Sequence, residues 1–312
     1  MTVQNIALII DPTCDLPEAY IEENNVYVIP KSFEIDGKQF RDRRIALMSI
    51  EFYNNYIVKK DCKISTNPPS VDATRNFIMG SIAENYNSAM IFCISDTRSE
   101  FYSHAKSAAR MVPTVISKSG IPDSFTLKSL AVVNTRSLFT GPGVITYLVV
   151  KALKNNPQLE LSDLNDIVEK AKKSLVTYVI PKDLFHLKNR GRLRNEKSIG
   201  LLAHYLFSKF NVVPILQVKD GATKKYSLHI GHQSALESCF NSLKELIKDG
   251  LQENVLILSV AGEIEAFEKN RVFADLKAHA QTCGVEILLS IMSIAGGVYV
   301  GPGAVSVSFC QK

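Results

Sequence analysis

Ala89-Met-Ile-Phe-Cys-Ile94 runs directly into Ser95-Asp96-Thr97-Arg98-Ser99, and that junction decides the fold. Six apolar residues with no charge and no turn former read as a strand buried on both faces, the habit of parallel sheets. The hydroxyl-rich loop behind it stands where such sheets take ligands, outside the carboxyl ends of their strands.

The same pattern repeats outward from the junction. Residues 5–10 are a short apolar run, after which Asp15-Leu-Pro17-Glu18 sets a cap, an early-turn proline and a glutamate at capping-box spacing. Residues 26–29 return as a strand, and Asp36-Gly37 between Ile35 and Lys38 is a two-residue hairpin turn. One helix then places Phe52, Tyr53, Tyr56 and Ile57 on one face; another, after Ser70, gathers Thr74, Phe77, Ile78 and Ile82. Residues 130–134 form a further strand, and Gly141-Pro-Gly143 reads as a turn opening a helix over 144–154. Strands alternating with helices predict a parallel sheet with helices on both faces.

The second half follows a helix over 162–175. Residues 212–218 and 226–230 flank Asp220-Gly221 as a second hairpin. Ser234-Ala-Leu-Glu237 is a capping box opening a helix with Leu236, Phe240, Leu243 and Ile247 on one face, stopped by Gly250. Strands over 255–260, 285–291 and 305–309 complete an α/β fold of two α/β domains, residues 1–165 and 166–312, the second with a mixed sheet. A length of 312 residues suits two domains better than one core.

Composition narrows the function classes. The chain is 46% apolar and 21% charged, which excludes a disordered chain or a coiled coil. A net charge of +5 is too small for a nucleic-acid coat protein, so no nucleic-acid partner is expected. That charge is also uneven. Residues 182–197 hold six Lys/Arg against Asp183 and Glu196, net +4, which leaves +1 for everything else. A charge run is commonly a solvated face; the sharper reading is a docking patch for an acidic protein partner.

The six cysteines are dispersed, with no C-x-x-C pair, and read as core thiols in a reducing cytoplasm. No signal peptide opens the chain, so a cytoplasmic location is expected. Residues 287–310 carry no charge, yet they hold Gly296, Gly297, Gly301, Pro302 and Gly303 and end in an alternating run. That predicts strands joined by glycine turns and no integral membrane segment.

Standard catalytic signatures are missing: no G-x-S-x-G, phosphate loop, H-E-x-x-H or full dinucleotide fingerprint. No catalytic residue, metal ligand or cofactor is assigned, and His229 and His232 read as solvated residues at a hairpin end. Three groups of residues could hold a ligand. Ser65-Thr66-Asn67-Pro68-Pro69 is a stiff, hydroxyl-rich loop before a helix; Ser95 heads the loop after the buried strand; and Gly296-Gly297-Val-Tyr299-Val-Gly301-Pro-Gly303 permits close approach of another group to the backbone. Both hydroxyl loops can equally be helix N-caps, and the glycines a purely structural turn.

Taken in order, these pieces resemble the DegV family, bacterial proteins that bind a fatty acid between two α/β domains. Asp11-Pro-Thr13-Cys-Asp15-Leu-Pro17 resembles its opening D-S-T-A-D-L-P. Val28-Ile-Pro30, then Ile35-Asp-Gly37 with Phe40-Arg-Asp42, is similar to its next segment. Ser65-Thr-Asn-Pro68 stands for T-S-Q-P, and Ile94-Ser95 with Ser99 and Tyr102 for I-S-S-x-L-S-G-T-Y. Leu187-Lys-Asn-Arg-Gly191-Arg192-Leu resembles L-x-K-G-G-R-I, with Pro214-Ile-Leu-Gln-Val-Lys-Asp-Gly221 and Gly301-Pro-Gly303 closing the series.

The resemblance implies a non-catalytic carrier that encloses a long-chain fatty acid and presents its head group to a fatty acid kinase. By position, Ser65, Thr66, Asn67, Ser95, Gly297 and Tyr299 would hold the ligand, between the two domains, while Arg190, Arg192 and Arg194 would face the kinase. Three departures cluster at the implied head-group position. Tyr299 replaces a histidine, Asp96 a serine and Glu100 a glycine. A carboxylate about 4 Å from an anionic head group would cost about 1–4 kcal/mol, unless Arg98 offsets it or the acids point away. A binding protein for a different small molecule is therefore the alternative, and a hydrolase pairing Ser95 with His104 a distant third.

Overall fold

The computed structural model describes residues 5–57, 62–120, 122–182, 184–187 and 211–312. In chain order the first half runs β1 (Ile6–Ile10), α1 (Glu18–Glu23), β2 (Val26–Val28), β3 (Lys31–Ile35), β4 (Lys38–Asp42), α2 (Ala46–Phe52) with a π-helical turn over Tyr53–Ile57, β5 (Ile64–Asn67), α3 (Val71–Ser81), β6 (Ser88–Cys93), α4 (Phe101–Lys118) and β7 (Ser129–Asn134). Strands β2-β1-β6-β7 form an all-parallel sheet in that order, with Leu8 opposite Met90 and Ile10 opposite Phe92. On one face Ile78 and Ile82 of the α3 segment and Phe101, Ala105 and Val112 of α4 pack against Ala7, Ile9 and Ile91.

The other face is covered by α5 (Thr140–Asn155), backed by α6 (Leu161–Ser174). The sequence carries no charge from Ser137 to Val150, and α5 is buried nearly all round along that stretch, because a second sheet lies on its far side. Val144, Ile145 and Val149 join Ile10 and Phe92 of the first sheet to Val255 and Ile257 of the second in one apolar cluster.

That second sheet is built from β8 (Leu175–Ile180), β9 (Val212–Lys219), β10 (Ala222–Ile230), β11 (Val255–Val260), β12 (Glu286–Ile291) and β13 (Val305–Cys310), with α7 (His232–Asp249), α8 (Ile264–Glu268), α9 (Arg271–Thr282) and α10 (Ile294–Val300) between them. Its order is β10-β9-β8-β13-β11-β12. Only β11 and β12 are parallel, so the sheet is mixed as expected. Leu236, Phe240 and Leu243 of α7 and Phe273 and Leu276 of α9 cover its outer face. The layers therefore run helix, sheet, helix, sheet, helix. A small antiparallel sheet, β4-β3-β5, closes over one end with α2 and α10. There Phe33, Phe52, Tyr53, Ile64, Leu216, Met292 and Val298 share a third apolar cluster.

Local signals are upheld where the chain has only itself to satisfy. Asp36-Gly37 and Asp220-Gly221 both take positive φ (48° and 83°; 49° and 77°), the geometry of a two-residue hairpin turn. Ser70 caps α3, its Oγ accepting the Ala73 N–H at 3.1 Å.

Other signals are overridden. Asp15 does not cap α1, which starts at Glu18 behind Pro17 with no side-chain cap; its carboxylate is buried elsewhere. Helix α7 starts at His232, two residues before the expected capping box, behind Gly231 at φ 83°. Gly141 and Gly143 lie inside the first turn of α5 rather than ahead of it. Ser65, Thr66 and Asn67 form part of strand β5, not a loop. Within 287–310, Gly296 and Gly297 belong to α10, and only Gly301 and Gly303, at φ 82° and 77°, make the turn into β13. Among the described residues no helix is long and apolar enough to cross a membrane.

Candidate functional site

Strand alternation sorts the first group of expected ligand residues. Along β5 Ile64 and Thr66 face inward, while Ser65 and Asn67 face solvent, because the strand pairs with β3 and buries the face shared with Phe33. Thr66 Oγ1 lies 3.4 Å from the Tyr299 hydroxyl. Two residues 233 positions apart are thus brought together at the rim of the aromatic cluster.

Tyr299 is half-buried on α10, and the glycines before it determine how that helix seats. A Cβ on Gly297 would overlap the ring and hydroxyl of Tyr53; one on Gly296 would lie 2.9 Å from the Phe139 ring. Tyr53 Oη is 3.0 Å from both the Met292 and the Ser293 carbonyls, which accept from it, and burial pushes its phenol well above the ordinary range. Gly297 itself is covered by Tyr53, and its N–H donates to the Ser293 carbonyl.

Ser95 lies at the carboxyl end of β6, 1% exposed. Its N–H donates to the Ser137 carbonyl at 2.9 Å, and its own carbonyl accepts from Arg98 and Ser99. Its hydroxyl is paired with Thr97 Oγ1 at 2.9 Å. The two acids that raised doubt, Asp96 and Glu100, are both exposed, and the Glu100 side chain, 80% exposed, lies 4.0 Å from His104 Nε2. His104 is engaged at Nδ1 with the Pro69 carbonyl at 2.9 Å. Arg190, Arg192 and Arg194 lie outside the described residues.

A buried polar network beside the site went unread in the sequence. Asp15, fully buried, accepts from Ser259 Oγ at 2.6 Å and from the Ser293 N–H at 2.9 Å, with Arg44 Nη2 3.8 Å away. Arg44 Nη2 donates to the Leu16 and Ile291 carbonyls, and its N–H to Asp42. Burial raises the Asp15 carboxyl above the carboxylate range, against the pull of Arg44 and of the serine donors. Burial likewise lifts Asp42 to about 6. The sequence signal was the run Asp42-Arg43-Arg44 entering a helix, which looks like surface; nothing local marks Asp42 and Arg44 as buried.

His232 also departs from expectation. It is largely buried, donates to the Ile180 carbonyl, and its burial, with Lys182 near, lowers its imidazole to about 4. Cys14, Cys93, Cys239 and Cys310 are buried thiols. Among the described residues no cluster of three or more His, Cys, Asp or Glu could hold a metal ion.

The family described as "Uncharacterised protein, DegV family" matches residues 5–312 of this chain. A DegV domain-containing protein of Xanthomonas campestris pv. campestris is 28% identical over 312 residues, covering 98% of each chain. Among solved structures, DegV from Bacillus subtilis, described as a fatty acid binding protein, superposes with a TM-score of 0.77 at 20% identity, covering 99% of this chain and 100% of its own. A stearic acid-binding protein from Eubacterium ventriosum gives 0.76 at 18% identity, covering 99% and 98%.

Proposed function

This chain belongs to the DegV family, and from that premise we propose that it is a non-catalytic carrier that encloses a long-chain fatty acid and offers its head group to a fatty acid kinase. The observation that carries the reading is the Thr66–Tyr299 pair at the edge of the aromatic cluster. Two hydroxyls 3.4 Å apart are too distant for a strong mutual bond. A carboxylate set between them would take a hydrogen bond from each. Beside them lies the apolar cluster of Phe33, Phe52 and Val298, and an acyl chain buried against such residues gains about 0.8 kcal/mol per methylene. Long-chain ligands in structural relatives, stearic acid among them, fit that balance.

On this reading the ligand lies between the half formed by residues 1–165 and the half formed by 166–312. Ser95 serves the head group from the parallel sheet, and the exposed positions of Asp96 and Glu100 remove the repulsion their charges would cause. The basic segment 182–197 supplies the kinase-facing patch through Arg190, Arg192 and Arg194.

Mass spectrometry of the purified protein under native and denaturing conditions, with lipid extraction, tests the carrier. Co-purified fatty acid, or stoichiometric uptake of added palmitate, is the expected result. Absence of both co-purified fatty acid and palmitate uptake overturns it. For the partner, Arg192→Glu is expected to abolish salt-sensitive binding to a fatty acid kinase; unchanged binding overturns the docking role.

A further inference from the structure

The tip of the β9–β10 hairpin lands on the loops behind β6 and β7. The Gly221 N–H donates to the Arg136 carbonyl at 2.7 Å, and Arg136 Nη1 donates to the Asp220 carboxylate at 2.8 Å. On the other side of the tip, Arg98 Nη2 donates to Thr223 Oγ1 at 2.8 Å. Between these clasps Gly221 lies directly over the hydroxyl of Ser95: a Cβ there would sit 3.3 Å from Ser95 Oγ.

We propose that the Asp220 and Gly221 tip is a strap that closes over Ser95 and must lift before a ligand can reach that hydroxyl. Three features make it a strap rather than a fixed wall. Its clasp is polar, with the Arg136 and Asp220 side chains 53% and 69% exposed, and exposed polar contacts are weak holds. The β8 pairing of β9 ends at Val218 and its ladder with β10 ends at Lys219 and Ala222, so Asp220 and Gly221 stand outside both ladders. Arg136 also sits in the left-handed region, at φ 49°, a conformation that an arginine adopts at a cost. Glycine at 221 is required twice over, for its φ of 77° and for the space above Ser95.

Only the identity of the gated ligand rests on the fatty-acid reading, so the test has two arms. In a Cys283→Ser background, Ser95→Cys reports access through its labelling rate with a maleimide, corrected for the same background retaining Ser95. Labelling is expected to be slow, to rise tenfold or more when Arg136→Ala and Asp220→Ala are combined, and to return to slow in the charge swap Arg136→Asp with Asp220→Arg. Labelling that ignores these changes overturns the strap.

With Ser95 intact, release of a fluorophore-tagged sixteen-carbon fatty acid to albumin is expected to be several-fold faster in the double alanine variant, at unchanged equilibrium affinity. Faster labelling with unaltered release overturns the gating role. If labelling responds as expected but no variant binds the probe, the strap stands and the fatty-acid reading falls.

Discussion

The carboxylate of Asp15 accepts a hydrogen bond from the backbone amide of Ser293 at 2.9 Å, tying the loop behind β1 to the loop behind β12. With Ser259 on its other oxygen and Arg44 alongside, it joins the parallel sheet, the mixed sheet and the entry to α2 at one point. The same Ser293 opens α10 and thereby positions Tyr299. The residue that holds the layers together is thus one step removed from the candidate ligand pair.

Removing it leaves two donors without their acceptor and the Arg44 guanidinium without this counter-charge in the core. Asp15→Ala is expected to lower unfolding free energy by about 3–5 kcal/mol, read as a fall in urea midpoint at constant m-value. Asp15→Asn keeps an acceptor and the shape, and is expected to lose clearly less. Equal losses would mean that neither the retained acceptor nor the shape matters.

Asp15 also shows why part of the molecule was illegible. Asp-Leu-Pro-Glu is a capping signal by spacing, and spacing is all that a local reading holds. The partners that claim Asp15 lie 244 and 278 residues away, and nothing nearby encodes them. Gly296 and Gly297 failed for the same reason. As turn formers they were misplaced, yet the close approach they permit is real, with Phe139 and Tyr53 as the groups that approach. The layered fold was legible because burial on both faces of β6 and all round α5 is written in uninterrupted apolar runs. Thr66 with Tyr299 was reachable only through family resemblance, since no periodicity links β5 to α10.

The fit of Tyr53 against Gly297 predicts a steric penalty. Gly297→Ala is expected to destabilise by about 1–3 kcal/mol, the usual cost of overpacking. Tyr53→Ala should cost about as much or more on its own, but the double variant should cost less than the sum, because the small ring site then accepts the methyl. Strict additivity, measured by urea unfolding, would show that the two do not meet.

Ligand affinity should respond to the two hydroxyls separately from stability. Tyr299→Phe and Thr66→Val are each expected to weaken palmitate binding by about 1 kcal/mol or more, with little change in urea midpoint. Tight binding retained in both, by displacement titration, would place the carboxylate elsewhere.

Asp42 gives a pH signature. Its carboxyl is raised to about 6 by burial, so the folded state favours the protonated form. Its contribution is present at low pH and is lost as pH rises from the ordinary carboxylate range through about 6, by about 3 kcal/mol at most. The stability difference between wild type and Asp42→Asn should therefore fall across that window. A difference that stays flat, or rises, contradicts the burial of a strained charge there.

His232 acts with the opposite sign in an overlapping window. Its imidazole is lowered to about 4 by burial and by Lys182, so the folded state favours the neutral ring. That contribution is complete above the ordinary histidine value and is lost as pH falls towards 4, again by about 3 kcal/mol at most. Between about pH 4 and 6 the Asp42 and His232 contributions to the wild-type profile therefore run in opposite senses. His232→Asn should then tilt the profile towards greater stability in acid, and Asp42→Asn should tilt it the other way. An imidazole titrating near its usual value by NMR would remove the histidine contribution and leave the raised carboxyls, Asp15 and Asp42, to act unopposed by it.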